Sequence, residues 1–453
     1  MNADERRLAL AAEVRRLRGN LSYQVMTFGC QMNQHDSLRL MGWCDEFGWT
    51  NDEDNPDVLI FNTCCVRDGA ERRVHGQIAA LKAWRQADER RMIIVCGCMM
   101  QQPNVAEAFI KRHRFVDAVM GTHALARFPE LVVTVLREGR AIDVAEDCDI
   151  PEGIPARAEH SPVACVAVGY GCDNFCTYCI VPTVRGRERS RAQDDIMREI
   201  EALAAEGVSE VMLLGQNVNS YAGAPGGFAA LLRRVRTLGL RRIRFMTSHP
   251  KDLSDDLIAA MAEGGGVCAQ LHLPLQSGSS RVLAAMNRGY TAEHYLSLVE
   301  KARAAMPDLG LTTDIIVGFP GEDESDFAQT LEVVRKAKPD GAYTFLYSPR
   351  KGTPAYDMPG RIDRAEMSRR NTILRKELDA MTAQALAAHV GLRREVLLET
   401  RGEKDDGMLF GRIERGFRLG LRGDAALIGK TVMADITGAA HHTLIANAVT
   451  GEQ

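Results

Sequence analysis

Three short, β-rich apolar runs in the first hundred residues, YQVMTFGC, DVLIFNTC and MIIVCGC, each close on a cysteine. Amphipathic helical stretches follow the first two, and the cysteines at 30, 64 and 98 are evenly spaced at about the length of one βαβ unit. The pattern predicts an N-terminal open parallel α/β domain over residues 21–140, preceded by an extension at 1–20. Further strands are expected near 163–170, 208–214, 242–247, 270–275, 311–318 and 342–347, separated by amphipathic stretches such as DDIMREIEALAAEG and ESDFAQTLEVVRKA. Six βα repeats are too few for a closed eight-stranded barrel, so a partial (β/α)6 barrel is predicted over 161–388, after a linker at 141–160. From about Leu392 the pattern changes to short alternating runs with turns, among them REVLLET, MLFGRIE and GFRLGLRG. These predict a small antiparallel β-barrel over 391–453.

Composition narrows the function classes. A formal net charge of -4 excludes a globally basic nucleic-acid binder, so any RNA contact must come from local patches. Twelve cysteines in 453 residues are too sparse for a disulfide scaffold, and their clustering suits metal ligation in a reducing cytoplasm. No apolar run is long enough to span a membrane. The opening MNADERRLALAAEVRRLRGN lacks a signal-peptide apolar region, and Asp4, Glu5 and Glu13 argue against a transit peptide. It is read as a solvated extension.

The run GYGCDNFCTYC places Cys172, Cys176 and Cys179 within eight residues. A cubane iron–sulfur cluster normally takes four thiolates, so three ligands leave one iron open to a non-protein group. A structural zinc site would want four closed ligands in paired spacing, and no fourth lies close by: His160 and Cys165 precede the run, and no cysteine follows it until Cys268. Upstream, Cys30, Cys64 and Cys98 sit at the carboxyl ends of successive strands, where loops of an open parallel sheet converge, and should meet. Singly, each reads as a small buried hydrophobe. Cys65 and Cys96 are competing candidates, and periodicity does not choose among them.

Loops at the same ends of the barrel strands nominate cofactor contacts: Gly215, Gln216 and Asn217 after the second strand, Ser248 after the third, Gln276 and Ser277 after the fourth, and Asp314 on the fifth. Such residues are also common in turns. Arg185, Arg187, Arg189 and Arg191 follow the cysteine run, with Glu188 among them, which predicts some internal ion pairs. Arg233, Arg234, Arg236, Arg241, Arg242 and Arg244 read as a solvated basic face. In the tail, Arg412, Arg415, Arg418 and Arg422 alternate with Phe410 and Phe417, offering cations for phosphates and rings for base stacking.

The CxxxCxxC spacing resembles the radical S-adenosylmethionine (SAM) superfamily. The resemblance implies that Cys172, Cys176 and Cys179 hold a 4Fe–4S cluster, that SAM chelates its open iron, and that Tyr178 packs on the SAM adenine. TFGCQMNQHDS, NTCCVRDGAERRV and GCMMQ, followed by CIVPTVRGRERSR, LLGQNVNSY, LHLPLQSGS, MNRGYT, TDIIVGFPGE and YSPRKGTPA, resemble the methylthiotransferases in order and over most of the chain. This implies a second 4Fe–4S cluster on Cys30, Cys64 and Cys98, two SAM molecules per turnover, and an electron donor such as flavodoxin or ferredoxin. Cys65 departs from the small residue usual there. The tail resembles the TRAM domain, which implies RNA contacts at Arg412, Arg415, Phe417 and Arg418. The loop forms resemble the branch that acts, as a monomer, on isopentenyladenosine next to the anticodon of tRNA. The alternatives are a threonylcarbamoyladenosine or ribosomal-protein substrate, or a non-catalytic iron–sulfur or zinc RNA-binding protein.

Overall fold

In the computed structural model, which describes residues 3–65, 68–146, 150, 152–154, 156–157, 161–404 and 407–449, the three cysteine-ending runs are neighbouring parallel strands. The elements in order are α1 (Ala3–Arg18), β1 (Ser22–Thr27), α2 (Gln31–Glu46), β2 (Thr50–Asn51), β3 (Val58–Thr63), α3 (Asp68–Ala80), α4 (Lys82–Gln86), β4 (Met92–Gly97), α5 (Val105–Arg112), β5 (Ala118–Met120), α6 (Phe128–Glu138) and β6 (Ala141–Asp143). The sheet order is β2-β1-β3-β4-β5-β6, parallel throughout. Every residue of β3 and β4 is buried, which is why these runs are almost continuously apolar. Together with residues 170–173 and 180–189, residues 1–159 form the first of two units.

Two expectations need correction here. Residues 3–18 are not a solvated extension: α1 packs on α6, with Ala11 and Val14 fully buried in the core of one sheet face. The expected linker at 141–160 begins too early, because Ala141–Asp143 is the edge strand of the sheet. Residues 147–149, 151, 155 and 158–160 of that expected linker, His160 among them, lie outside the described residues.

The second unit takes residues 160–169, 174–179 and 190–453. The chain continues through β7 (Val163–Ala167), β8 (Gly169–Tyr170), α7 (Val181–Arg185), β9 (Arg189–Ser190), α8 (Gln193–Ala205), β10 (Glu210–Leu214), α9 (Gly227–Arg236), β11 (Arg242–Phe245), α10 (Asp255–Ala262), β12 (Gln270–His272), α11 (Ser280–Ala285), α12 (Ala292–Ala305), β13 (Gly310–Val317), α13 (Glu324–Ala337), β14 (Gly341–Leu346) and α14 (Arg364–Ala387). Two parallel sheets, β11-β10-β7 and β12-β13-β14, are linked by an isolated bridge between Ile243 and Val267. These six strands are the six expected from the sequence, and they form an open partial barrel.

The tail folds as a closed barrel of β15 (Arg393–Arg401), β16 (Met408–Ile413), β17 (Arg418–Arg422), β18 (Thr431–Ala440) and β19 (Thr443–Ala448). It is not wholly antiparallel: β17 and β19 run parallel and close the barrel. The supposed solvated arginine face also divides. Arg242 and Arg244 lie on β11, only 2% and 3% exposed, and reach into the tail barrel. Arg244 donates to Ile413 O at 2.9 Å and Glu414 O at 2.8 Å, and Arg242 to Glu395 O at 3.1 Å.

Candidate active site

In the first unit the carboxyl ends of β1, β3 and β4 lie side by side, and a cysteine stands beyond each. Cys30 is the N-cap of α2, Cys64 follows β3 and Cys98 follows β4. Asn33, in the first turn of α2, connects them. Its Nδ2 donates to Phe28 O at 2.9 Å and Thr63 O at 3.0 Å, and its Oδ1 lies 3.7 Å from Cys30 Sγ and 3.9 Å from Cys98 Sγ. Gly29 (φ +127°) permits the close approach, because a Cβ there would stand 2.6 Å from Cys64 Cβ. Among the described residues no three Cys, His, Asp or Glu side chains crowd closely enough to share one metal ion. A cubane carries its irons on separate corners and takes one thiolate at each, and three thiols at neighbouring strand ends are a donor set of that chemistry.

The neighbouring thiols behave differently from one another. Cys65 hydrogen-bonds to Cys98, and both pack with Ile180 and Val184. That bond and the Arg185 guanidinium bring the Cys98 thiol down to about 6 despite burial. The Cys65 thiol, donating the same bond and buried, is pushed far up. A lowered thiol value favours the thiolate form. Cys96, two residues before Cys98, would share its side of a regular extended strand. Gly97, at φ +95°, breaks the strand alternation between them, and Cys96 faces the core with its thiol raised by burial.

Arg185, itself buried, completes this site by donating to Asn33 Oδ1 at 2.9 Å and pairing with Asp36 at 2.8 Å. Burial alone would raise the Asp36 carboxyl, but the guanidinium outweighs it and holds the group down to about 2, from an ordinary 3.8. A depressed folded-state value gives stability that is present above about pH 4 and lost as pH falls toward 2. The difference corresponds to about 2 kcal/mol. Urea unfolding of the metal-free protein, followed by tryptophan fluorescence, is expected to show that loss over this window, and Asp36→Asn to flatten it. Trp43, Trp49 and Trp84 all lie in the first unit, so the signal reports on it alone.

In the second unit, Cys176 and Cys179 belong to the loop after β7, while Cys172 is counted with the first unit. Cys176 Sγ accepts a hydrogen bond at 3.3 Å from Arg288 Nη1, a residue of the MNRGYT segment to which the sequence assigned no role. Tyr178 packs against Phe319, Tyr347 and Met286, and its hydroxyl is held protonated by burial.

At the rim of the partial barrel, Asn217, Ser248 and Gln276 follow β10, β11 and β12, each less than 9% exposed. Asn217 donates to Asp252 at 2.7 Å, and the Gln276 backbone bridges Asp314 O and Ile316 N. Asn217 Oδ1, Ser248 Oγ, Gln276 Oε1 and His249 Nε2 have no hydrogen-bond partner although buried. Each such group costs about 1–3 kcal/mol unless something pairs with it, a cost that a polar ligand seated at the rim would relieve. His249 is held neutral by burial, its value pushed down to about 2, and its Nδ1 accepts from Lys251 N, which leaves the proton on the unpaired Nε2. Thr247 (φ +70°) and Gln276 (φ +66°) adopt left-handed backbone at this rim, a strain that collects at functional sites. Asp314, on β13, lies 3.5 Å from His272 Nε2. Gly215 and Gln216 lie in the same loop as Asn217.

The four RNA candidates part company. Arg412 is exposed and paired with Glu399 at 2.7 Å, and Arg418 stacks over the Phe410 ring at 4.0 Å. Arg415 is instead bound to Asp340 and Asp308, and Phe417 packs edge-on to His389. Both serve to seat the barrel. As expected, ion pairs also take up Arg187, with Asp173, and Arg191, with Glu199.

Residues 22–121 match the model of the uncharacterized protein family UPF0004, residues 166–334 that of the radical SAM superfamily, and residues 387–449 that of the TRAM domain. Two solved structures share the fold. The radical SAM methyltransferase TsrM from Kitasatospora setae, with tryptophan substrate and the SAM analogue aza-SAM bound, is 15% identical at a TM-score of 0.55, covering 84% of this chain and 79% of that one. TsrM with cobalamin and a 4Fe–4S cluster bound is 14% identical at a TM-score of 0.56, covering 86% and 76%. Curated relatives are far nearer in sequence. Those from Alkaliphilus oremlandii (48% identical, covering 91% of this chain and 89% of the relative), Acetivibrio thermocellus (46%, 90% and 87%) and Clostridium botulinum (45%, 95% and 96%) are each named tRNA-2-methylthio-N(6)-dimethylallyladenosine synthase. With nearly half of its residues shared along almost its whole length, the chain belongs to the tRNA-2-methylthio-N(6)-dimethylallyladenosine synthase family, within the radical SAM superfamily.

Proposed function

We propose that this protein is the enzyme its relatives are named for, placing a methylthio group on C2 of N6-isopentenyladenosine in tRNA. The observation that carries the reading is the 48% identity over 91% of the chain to a synthase of that name. The same relatives disfavour a threonylcarbamoyladenosine or ribosomal-protein substrate. The C2 hydrogen of adenine has no leaving-group character, and an iron–sulfur cluster with SAM, when bound, supplies the radical chemistry that replaces it. The chain's own part is to hold and orient. Cys172, Cys176 and Cys179 would ligate the SAM-binding cluster. The unpaired Asn217, Ser248, His249 and Gln276 would meet the polar groups of SAM, with Tyr178 against its adenine. Cys30, Cys64 and Cys98, kept in register by Asn33, would ligate a second cluster. Arg412 and Arg418, with Phe410, would grip RNA. We read the protein as a cytoplasmic monomer that receives electrons from a flavodoxin- or ferredoxin-type carrier. Among the described residues no helix is long and apolar enough to cross a membrane.

Two measurements test this reading. Mass spectrometry of tRNA nucleosides from cells lacking the gene should show isopentenyladenosine accumulating without its methylthio form, and an unchanged profile overturns the substrate. About eight irons per reconstituted chain support two cubanes, whereas about four leave the upstream trio as ordinary core.

A further inference from the structure

Arg288 is 5% exposed, yet among the described residues it pairs with no carboxylate. Its guanidinium donates to Tyr290 OH at 3.1 Å, Pro274 O at 3.4 Å and Cys176 Sγ at 3.3 Å. Tyr290 is in turn fixed by Pro274 O and Leu275 O, so the cation cannot swing away from the thiol without breaking several buried bonds. A buried charge with no opposite partner costs several kcal/mol. Cys176 Sγ is the cluster-ligand atom within its reach. The upstream trio has its own buried guanidinium, Arg185, but that charge is neutralised by Asp36 at 2.8 Å. The Cys176 site is thus the one that faces an uncompensated positive charge.

We propose that Arg288 is a positioning residue that sets the reduction potential of the metal group held by Cys176. Each electron entering from an external reductant adds one negative charge beside the guanidinium. Arg288 therefore stabilises the reduced state more than the oxidised one and raises the potential, as net charge and hydrogen bonds to the cluster sulfurs do in general. The proposal rests on reading Cys172, Cys176 and Cys179 as cluster ligands. The iron content of the unsubstituted chain tests that reading separately.

The experiment uses the full chain with Cys30, Cys64 and Cys98 all changed to alanine, so that only the cluster at Cys176 remains. After anaerobic reconstitution and without SAM, the midpoint potential is read from the electron paramagnetic resonance signal during dithionite titration. Arg288→Met is expected to move the midpoint to more negative potential, and Arg288→Lys, which keeps the charge, to stay closer to the parent. Tyr290→Phe, which leaves the guanidinium but frees its Nε, should give a smaller shift in the same direction as Arg288→Met. An Arg288→Met midpoint equal to the parent's at equal iron content overturns the proposal. Should that variant fail to load iron, an unshifted Tyr290→Phe midpoint overturns it instead.

Discussion

Cys176→Ala is expected to release no detectable 5'-deoxyadenosine from SAM under dithionite, whereas Cys64→Ala should still release it and yet form no methylthio product. The first substitution removes one of the three thiols proposed to hold the SAM-binding cluster and strands Arg288, a buried guanidinium that donates to Cys176 Sγ. Stranding it destabilises the loop by something on the order of 3 kcal/mol, so metal loading and the fold of the site fail together. The second leaves the partial barrel untouched, because Cys64 belongs to the other unit. Liquid chromatography of the nucleoside products separates the two outcomes. Methylthio product from Cys64→Ala would show that Cys65 can stand in as a ligand, against its placement here as the hydrogen-bond donor to Cys98.

Arg244→Met is expected to destabilise the second unit by about 3–5 kcal/mol, because Glu210, 0% exposed, would lose the guanidinium it pairs with at 3.0 Å. The same change removes the bonds to Ile413 O and Glu414 O that seat the tail barrel. Limited proteolysis should then cut near residues 388–392 and free a C-terminal fragment. Adding Glu210→Leu should recover much of the melting temperature, since replacing both members of a buried pair by apolar residues costs far less than removing one. A melting curve and digestion pattern identical to the parent's would refute this account of the seat.

Features written in local periodicity were readable from the chain alone. β3 and β4 are buried on both faces, so their apolar runs could hardly be anything else, and a cysteine after each strand put the trio at one end of the sheet. The six strands of the partial barrel were readable for the same reason. What escaped are side chains whose partners lie far along the chain. Arg185 meets Asn33 across 152 positions and Arg288 meets Cys176 across 112, and no spacing rule carries that information. Arg244 looked like one of a solvated set because strand position, not charge pattern, turns it inward. Arg415 alternates with aromatic residues as an RNA-binding arginine would, yet Asp340 and Asp308 claim it. The parallel closure of β17 on β19 is likewise invisible in an alternating pattern, which fixes faces but not strand direction.

The docking of α1 on α6 sets a condition on synthesis. Residues 3–18 leave the ribosome well before their partner helix, which begins only at Phe128, about 110 residues later. At ordinary translation speeds that gap lasts on the order of ten seconds. Throughout it Leu10, Ala11, Val14 and Leu17 form a greasy stripe with nowhere to go, which makes nascent α1 a natural landing place for a chaperone.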